Sequence, residues 1–134
     1  MSEIRDIKLA PQGEMKIKWV QSHMPVLAAI KKQFEADKPF TGLKVTLSIH
    51  LEAKTAYLCR VLEAGGAVMS VTGSNPLSTQ DDVVAALAAG GMDVYAWYGA
   101  TDEEYERHIA KALDNGPDVV MDDGADLSEA LHTF

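Results

Sequence analysis

A single cysteine, Cys59, stands in 134 residues, so neither a disulfide framework nor a thiolate zinc site can be built. It falls among Tyr57, Leu58, Val61 and Leu62 and reads as a small buried hydrophobe rather than a nucleophile. A chain without disulfides suits a reducing cytoplasm, the expected compartment. Positive charge is also scarce: twelve Lys and Arg face twenty Asp and Glu, for a net charge of −8. The basic residues are scattered, with Lys16/Lys18 and Lys31/Lys32 as short doublets. Phosphate binding needs clustered cations, so nucleic acid is not an expected partner. No apolar run approaches the roughly 20 residues that span a bilayer. Met1-Ser2-Glu3-Ile4-Arg5-Asp6 has no apolar signal core, and no membrane partner is expected. There is no G-x-G-x-x-G, no P-loop, no G-x-S-x-G elbow and no H-E-x-x-H helix. This stretch therefore carries no recognisable dinucleotide site of its own.

What is present is an α/β rhythm. With 47% apolar residues the chain can bury one core, and a single domain over residues 1–134 is expected. Residues 1–12 read as an extended lead-in. Over 14–35, Met15, Trp19, Leu27, Ile30 and Phe34 recur at helical spacing, with Trp19 as core or packing surface. Pro25 either kinks this helix or starts a new one. Residues 1–37 thus form an N-terminal helical region, and 38–134 a series of βα repeats. Strands are expected at 43–49, 67–72, 93–97 and 118–121, with helices at 52–62, from Ser78 or Thr79 to about 89, from Thr101 to about 113, and from Asp126 onward. Such alternation predicts right-handed crossovers and a doubly wound, mostly parallel open sheet of the Rossmann-like or flavodoxin-like kind. The chain stops barely into its last helix, which reads as a fragment of something longer.

Three strands run out into polar residues: His50-Leu51-Glu52-Ala53-Lys54, Gly73-Ser74-Asn75-Pro76-Leu77-Ser78-Thr79-Gln80-Asp81-Asp82, and Asp122-Asp123-Gly124-Ala125-Asp126. Ligands of open parallel sheets bind beyond the carboxyl ends of the strands, so one composite pocket is expected. His50 can move a proton near neutral pH or simply cap the strand end. Glu52 and Lys54 can face a cleft or be ordinary first-turn charges; a lysine at a helix N-terminus opposes the macrodipole. Asn75 suits a turn, and Ser78, Thr79 and Gln80 place hydroxyl and amide groups near a helix N-terminus that can take an oxygen-rich ligand or be merely capped. The adjacent Asp122 and Asp123 suit acid–base work or a divalent metal, while Asp126 can cap the last helix.

The sequence resembles S-adenosyl-L-homocysteine hydrolase (adenosylhomocysteinase), in its archaeal and thermophilic branch. The resemblance runs through Asp6-Ile7-x-Leu9-Ala10, Met24-Pro25, Lys38-Pro39-Phe40-x-Gly42, Ile49-His50-Leu51, Asn75-Pro76-Leu77-Ser78-Thr79-Gln80-Asp81, Tyr95-Ala96-Trp97-x-Gly99, Glu103-Glu104-Tyr105 and Asp122-Asp123-Gly124-Ala125-Asp126-Leu127. It implies the first part of a substrate-binding domain in a homo-oligomeric enzyme of one-carbon metabolism. Such an enzyme uses bound NAD to oxidise the ribose 3′-hydroxyl, eliminates homocysteine from C5′, adds water and reduces the ketone again. It also implies His50 and Asp123 as catalytic groups, and a substrate site formed by His50, Glu52, Lys54, Asn75, Ser78, Thr79, Gln80 and Asp123, with no metal and no cofactor-binding residue in this stretch.

Two departures stand out. Many members read His-Met-Thr-x-Glu-Thr-Ala where this chain has His50-Leu51-Glu52-Ala53-Lys54-Thr55-Ala56. The positions of Glu52 and Lys54 face the purine edge in the family. Lysine carries only donors, which suit the carbonyl of an S-inosyl substrate rather than the exocyclic amine of an S-adenosyl one. The family's catalytic lysine and its NAD-binding domain lie beyond this stretch, so the 134 residues alone are expected to be inactive. The competing readings are a non-catalytic small-molecule-binding or receiver-like signalling module, and an assembly fragment whose Trp19, Met24 and Tyr57 face a partner subunit.

Overall fold

In β1 (Lys44–Ile49) and β2 (Val68–Gly73), aliphatic and hydroxyl side chains alternate. Val45, Leu47, Met69 and Val71 point to one face and Thr46, Ser48, Ser70 and Thr72 to the other, and all are buried. Strands buried on both faces are the mark of a parallel sheet covered on both sides. The computed structural model, which describes residues 2–133, has that architecture. β1, β2, β3 (Asp93–Tyr95) and β4 (Val119–Asp122) are all parallel, in the order β3-β2-β1-β4.

The aliphatic face joins a core that includes Ile17, Val20, Tyr57, Val61, Val83 and Leu87, contributed by α1 (Ala10–Ser22), α3 (Ala53–Ala64) and α4 (Asp81–Ala89). The hydroxyl face meets α5 (Asp102–Leu113). There Ser70 Oγ donates to the Ala112 carbonyl at 2.7 Å and Thr46 Oγ1 to the Asn115 side-chain oxygen at 2.8 Å. Hydroxyls on this face thus satisfy acceptors at the end of α5, where the last helical carbonyls lack intrahelical donors. A second apolar cluster of Ile109, Leu113 and Leu127, with Tyr105 and Val120 against it, ties α5 to α6 (Asp126–Thr133) and β4.

The chain runs β1-α3-β2-α4-β3 in one direction, and α5 then carries it back to β4 on the far side of β1. The direction reverses between β1 and β4, which is the topological switch point of a doubly wound sheet.

The N-terminal region departs from expectation. The extended part is short: Glu3 bridges Tyr95, with Glu3 N donating to Val94 O at 2.9 Å and Ala96 N donating to Glu3 O at 3.0 Å, which covers the β3 edge. A 3-10 turn follows at Ile7–Leu9 and α1 begins at Ala10. Pro25 starts α2 (Pro25–Asp37) rather than kinking one long helix, since proline is tolerated at a first helical position. Met15 and Trp19 are 73% and 64% exposed, and Trp19 stacks on His23 at 4.0 Å. The buried face of α1 is Gly13, Ile17 and Val20 instead. Cys59 is fully buried, and burial pushes its thiol pKa up to about 12, which makes it inert. Among the described residues no helix is long and apolar enough to cross a membrane.

Candidate functional site

Each polar cluster belongs to one strand end, and the strand order sets them side by side. β1 ends at Ile49 and hands His50 to the rim. Glu52 is the N-cap of α3: its Oε1 accepts from Thr55 N at 3.0 Å, so this carboxylate builds the helix start. Lys54 lies exposed on the first turn.

The loop after β2 folds around Asn75. The Asn75 side-chain oxygen accepts from Leu77 N at 2.9 Å, and its carbonyl accepts from Ser78 Oγ and Thr79 Oγ1, both at 3.1 Å. Thr79 is buried, and its hydroxyl would lie 2.8 Å from a Cβ at Gly73, so that close approach needs glycine. Neither Ser78 nor Thr79 caps α4. The N-cap is Gln80, which makes no side-chain cap bond; its side-chain oxygen accepts from Lys16 Nζ at 3.4 Å instead. Ser78 turns back to β1, with its Oγ 2.7 Å from His50 Nδ1. The single Ser78 proton goes either to the Asn75 carbonyl or to Nδ1. In the first arrangement Nε2 is the basic nitrogen; in the second Nε2 carries the proton.

At β4, Ser48 pairs in register with Asp122, and Asp123 N donates to Ser48 O at 3.3 Å. The two aspartates then part. Asp122 Oδ2 accepts from Ser128 N at 3.0 Å and so caps the start of α6. Asp126, expected in that role, instead accepts from the Tyr105 hydroxyl at 2.6 Å. The left-handed Ala125 (φ 67°) lets the turn close this way. Asp123 is exposed, and its carboxylate has no protein partner among the described residues. These residues contain no cluster of three His, Cys, Asp or Glu side chains that could hold a metal.

His50, the Ser74–Gln80 loop and Asp123 thus open at the carboxyl ends of β1, β2 and β4, on one rim beside the switch point. A cavity of about 410 Å³ lies elsewhere, between α5 and α6, lined by Tyr105, Ile109, Asp126 and Ala130. Sequence reasoning gave Tyr105 no role. Besides Asp126, its hydroxyl reaches the Ser74 carbonyl oxygen at 3.1 Å. Burial first, then the Asp126 carboxylate, raise its pKa and keep it protonated. Its only sequence signal was its place in the Glu103-Glu104-Tyr105 motif. Ser74 Oγ and Asp122 Oδ1 are buried without a hydrogen-bond partner among the described residues.

Comparison with known proteins places this rim in context. The chain is 55% identical over 133 residues to the S-inosyl-L-homocysteine hydrolase of Methanocaldococcus jannaschii, covering 99% of this chain and 32% of that protein. It is 53% identical over 133 residues to the enzyme of the same name from Methanococcus maripaludis, with the same coverage. It is 53% identical over 130 residues to the adenosylhomocysteinase of Pyrococcus abyssi, covering 97% of this chain and 31% of that protein. The chain therefore spans about a third of the length of the curated relatives it matches. Relatives of both names lie at the same similarity, so overall identity does not separate the two nucleosides. The sequence profile described as S-adenosyl-L-homocysteine hydrolase matches residues 1–134, and with that match over its full length the chain belongs to that family.

Proposed function

We propose that this chain forms the first part of the substrate side of a hydrolase that cleaves the thioether of S-inosyl-L-homocysteine, in preference to S-adenosyl-L-homocysteine, to nucleoside and homocysteine. His50 and Asp123 exchange protons around the 5′ end of the nucleoside. Asn75, Ser78, Thr79 and Gln80 form the loop that walls the cleft, with Thr79 shaping it from inside. Glu52 and Lys54 stand at the purine edge. Support comes above all from one observation: His50, bonded to Ser78, shares the switch-point rim with an exposed Asp123 whose carboxylate has no partner among the described residues.

The two purine-edge residues are not equivalent. The Glu52 carboxylate already accepts from the backbone of its own helix, so Lys54 is the free voice at that edge. Its ammonium donates and cannot accept, which matches a purine carbonyl and opposes an amine. A site built to pair a polar group rejects the analogue that leaves it unpaired far more strongly than a hydrophobic pocket rejects an added methylene.

NAD, which the family resemblance implies, does not fit the residues present. The turn after β1 holds His50, Leu51 and Glu52 where a dinucleotide cradle needs glycines for close approach of the pyrophosphate. No step through NAD is assigned to these residues, and the 134 residues alone are expected to be inactive. Of the residues expected to face a partner subunit, Trp19 is exposed and Met24 half-buried, whereas Tyr57 lies in the core. Exposed Met15 and Val26 on α1 and α2 are further apolar surface for the homo-oligomer that the same resemblance implies.

The test joins this chain to the remaining two thirds of the Methanocaldococcus jannaschii relative and compares kcat/KM for the two thioethers. Preference for the inosyl substrate, reduced or reversed in Lys54→Glu, is the expected result. A strong adenosyl preference with Lys54 in place would end the purine assignment, and no turnover of either substrate would end the functional one.

A further inference from the structure

We propose that Tyr105 is the positioning residue that sets the width of the substrate rim, by tying the loop after β2 to the loop after β4. This rests on the functional reading above and deepens it.

Tyr105 sits on the first turn of α5, a turn fixed by a capping box in which Thr101 accepts from Glu104 N and Glu104 accepts from Thr101 N. Its ring packs against the Ile109, Leu113 and Leu127 cluster, so the side chain has little freedom. Its hydroxyl stands between two acceptors, 2.6 Å from Asp126 Oδ2 at the start of α6, where the loop after β4 ends, and 3.1 Å from the Ser74 carbonyl in the loop after β2. One proton serves both, with the nearer carboxylate taking the larger share. Ser74 opens the loop that brings Ser78 to His50, and its own N–H donates to Ile49 O at 3.3 Å. Asp126 follows Asp123 by one short turn.

The loop that carries Ser78, the partner of His50, and the loop that carries Asp123 therefore meet at one phenol. The apolar cluster of Ile109, Leu113 and Leu127 also joins α5 to α6, so the fold does not depend on the hydroxyl alone. What it adds is the relative placement of two loop ends, and a misplacement of about 1 Å can cost on the order of 100-fold in rate. A residue acting this way lowers kcat while leaving KM, because ground-state binding does not require the aligned proton-transfer pair.

Tyr105→Phe keeps the ring and removes the hydroxyl. In the isolated chain, amide hydrogen exchange of Tyr105→Phe is expected to quicken in both loops, 74–78 and 123–126, with the rest unchanged. Asp126→Asn, whose amide oxygen still accepts, keeps protection near that of the parent. In the joined protein, Tyr105→Phe lowers kcat by about 10- to 100-fold with KM unchanged. Exchange that quickens in neither loop or in only one, or a kcat equal to the parent, overturns the proposal. If the parent joined protein turns over no substrate, the functional reading fails, while loop exchange still decides whether Tyr105 is the tie.

Discussion

Replacing Gly13 by alanine is the sharpest single test of how this fold is held. Gly13 is buried in α1 against the first turn of α4. A Cβ built there would lie 1.8 Å from the Asp82 carbonyl oxygen, 2.4 Å from its carbon and 2.8 Å from Val83 N. All three are backbone atoms, so no side chain can swing away. Real Cβ atoms essentially never approach below 3.0 Å, so the helices must part by about 1.2 Å, the difference between 3.0 and 1.8 Å. Overpacking costs about 1–3 kcal/mol, and contact with backbone puts this case at the upper end. Alanine returns about 1 kcal/mol of helix propensity. The net loss is about 2 kcal/mol, or roughly 8 °C in Tm at this chain length. The shift would also strain the bonds that Gln12 and Lys16 make to the Asp82 carboxylate, at 3.1 and 2.7 Å, and the Lys16 contact to Gln80. Urea unfolding followed by far-UV circular dichroism measures it. A Gly13→Ala protein that matches the parent, or gains the ~1 kcal/mol expected of an exposed helix, would refute the close packing of α1 on α4.

Two further outcomes follow from burial. Cys59, with its thiol pKa near 12 and no exposure, should resist aromatic disulfide reagents in the native chain and react at once in urea; rapid native labelling would contradict its placement. His108 is buried edge-on to Trp97 at 4.4 Å, and burial lowers its pKa, opposed by Glu3 and Glu104 and reinforced by Arg107 and Lys111. The unfolded chain thus takes up this proton first as pH falls. The contribution of a neutral His108 is intact above the unfolded value of about 6.5 and is lost progressively below it. The urea midpoint should drop less between about pH 7 and pH 5 in His108→Gln than in the parent; equal drops would show that His108 does not titrate this way.

The βα rhythm was legible because strand and helix periods differ and glycine pairs punctuate them. All four strands appear where their β-branched runs stand, with ends shifted by a residue or two as is usual for such boundaries. The three polar strand ends were legible for the same reason, and the sheet order brought them to one rim. The N-terminal helices were harder. Large apolar residues such as Met15 and Trp19 suggest their packing face, whereas the side that packs is chosen by a missing Cβ at Gly13 and by Ile17. Glycine reads as a break in a sequence and as a contact in a structure. Capping at α4 and α6 escapes residue preference because a cap depends on the turn that precedes it. Gln80 stands at the α4 N-cap after the Asn75 turn, and the Asp122 side chain reaches Ser128 N across the left-handed Ala125, which residue preferences do not encode. The pairing of His50 with Ser78, and of Tyr105 with Ser74 and Asp126, joins residues 21 to 31 positions apart, beyond the reach of any local pattern.

Neighbouring aspartates invite a mutagenesis survey to treat them as duplicates. Under the proposed function one is masonry and the other a tool: Asp122 secures the first turn of α6, and Asp123 is exposed with no partner among the described residues. On that proposal, neutralising the first should surface in melting curves and the second in product formation, and a screen that counts only product would merge a loosened helix start with the loss of a proposed proton carrier.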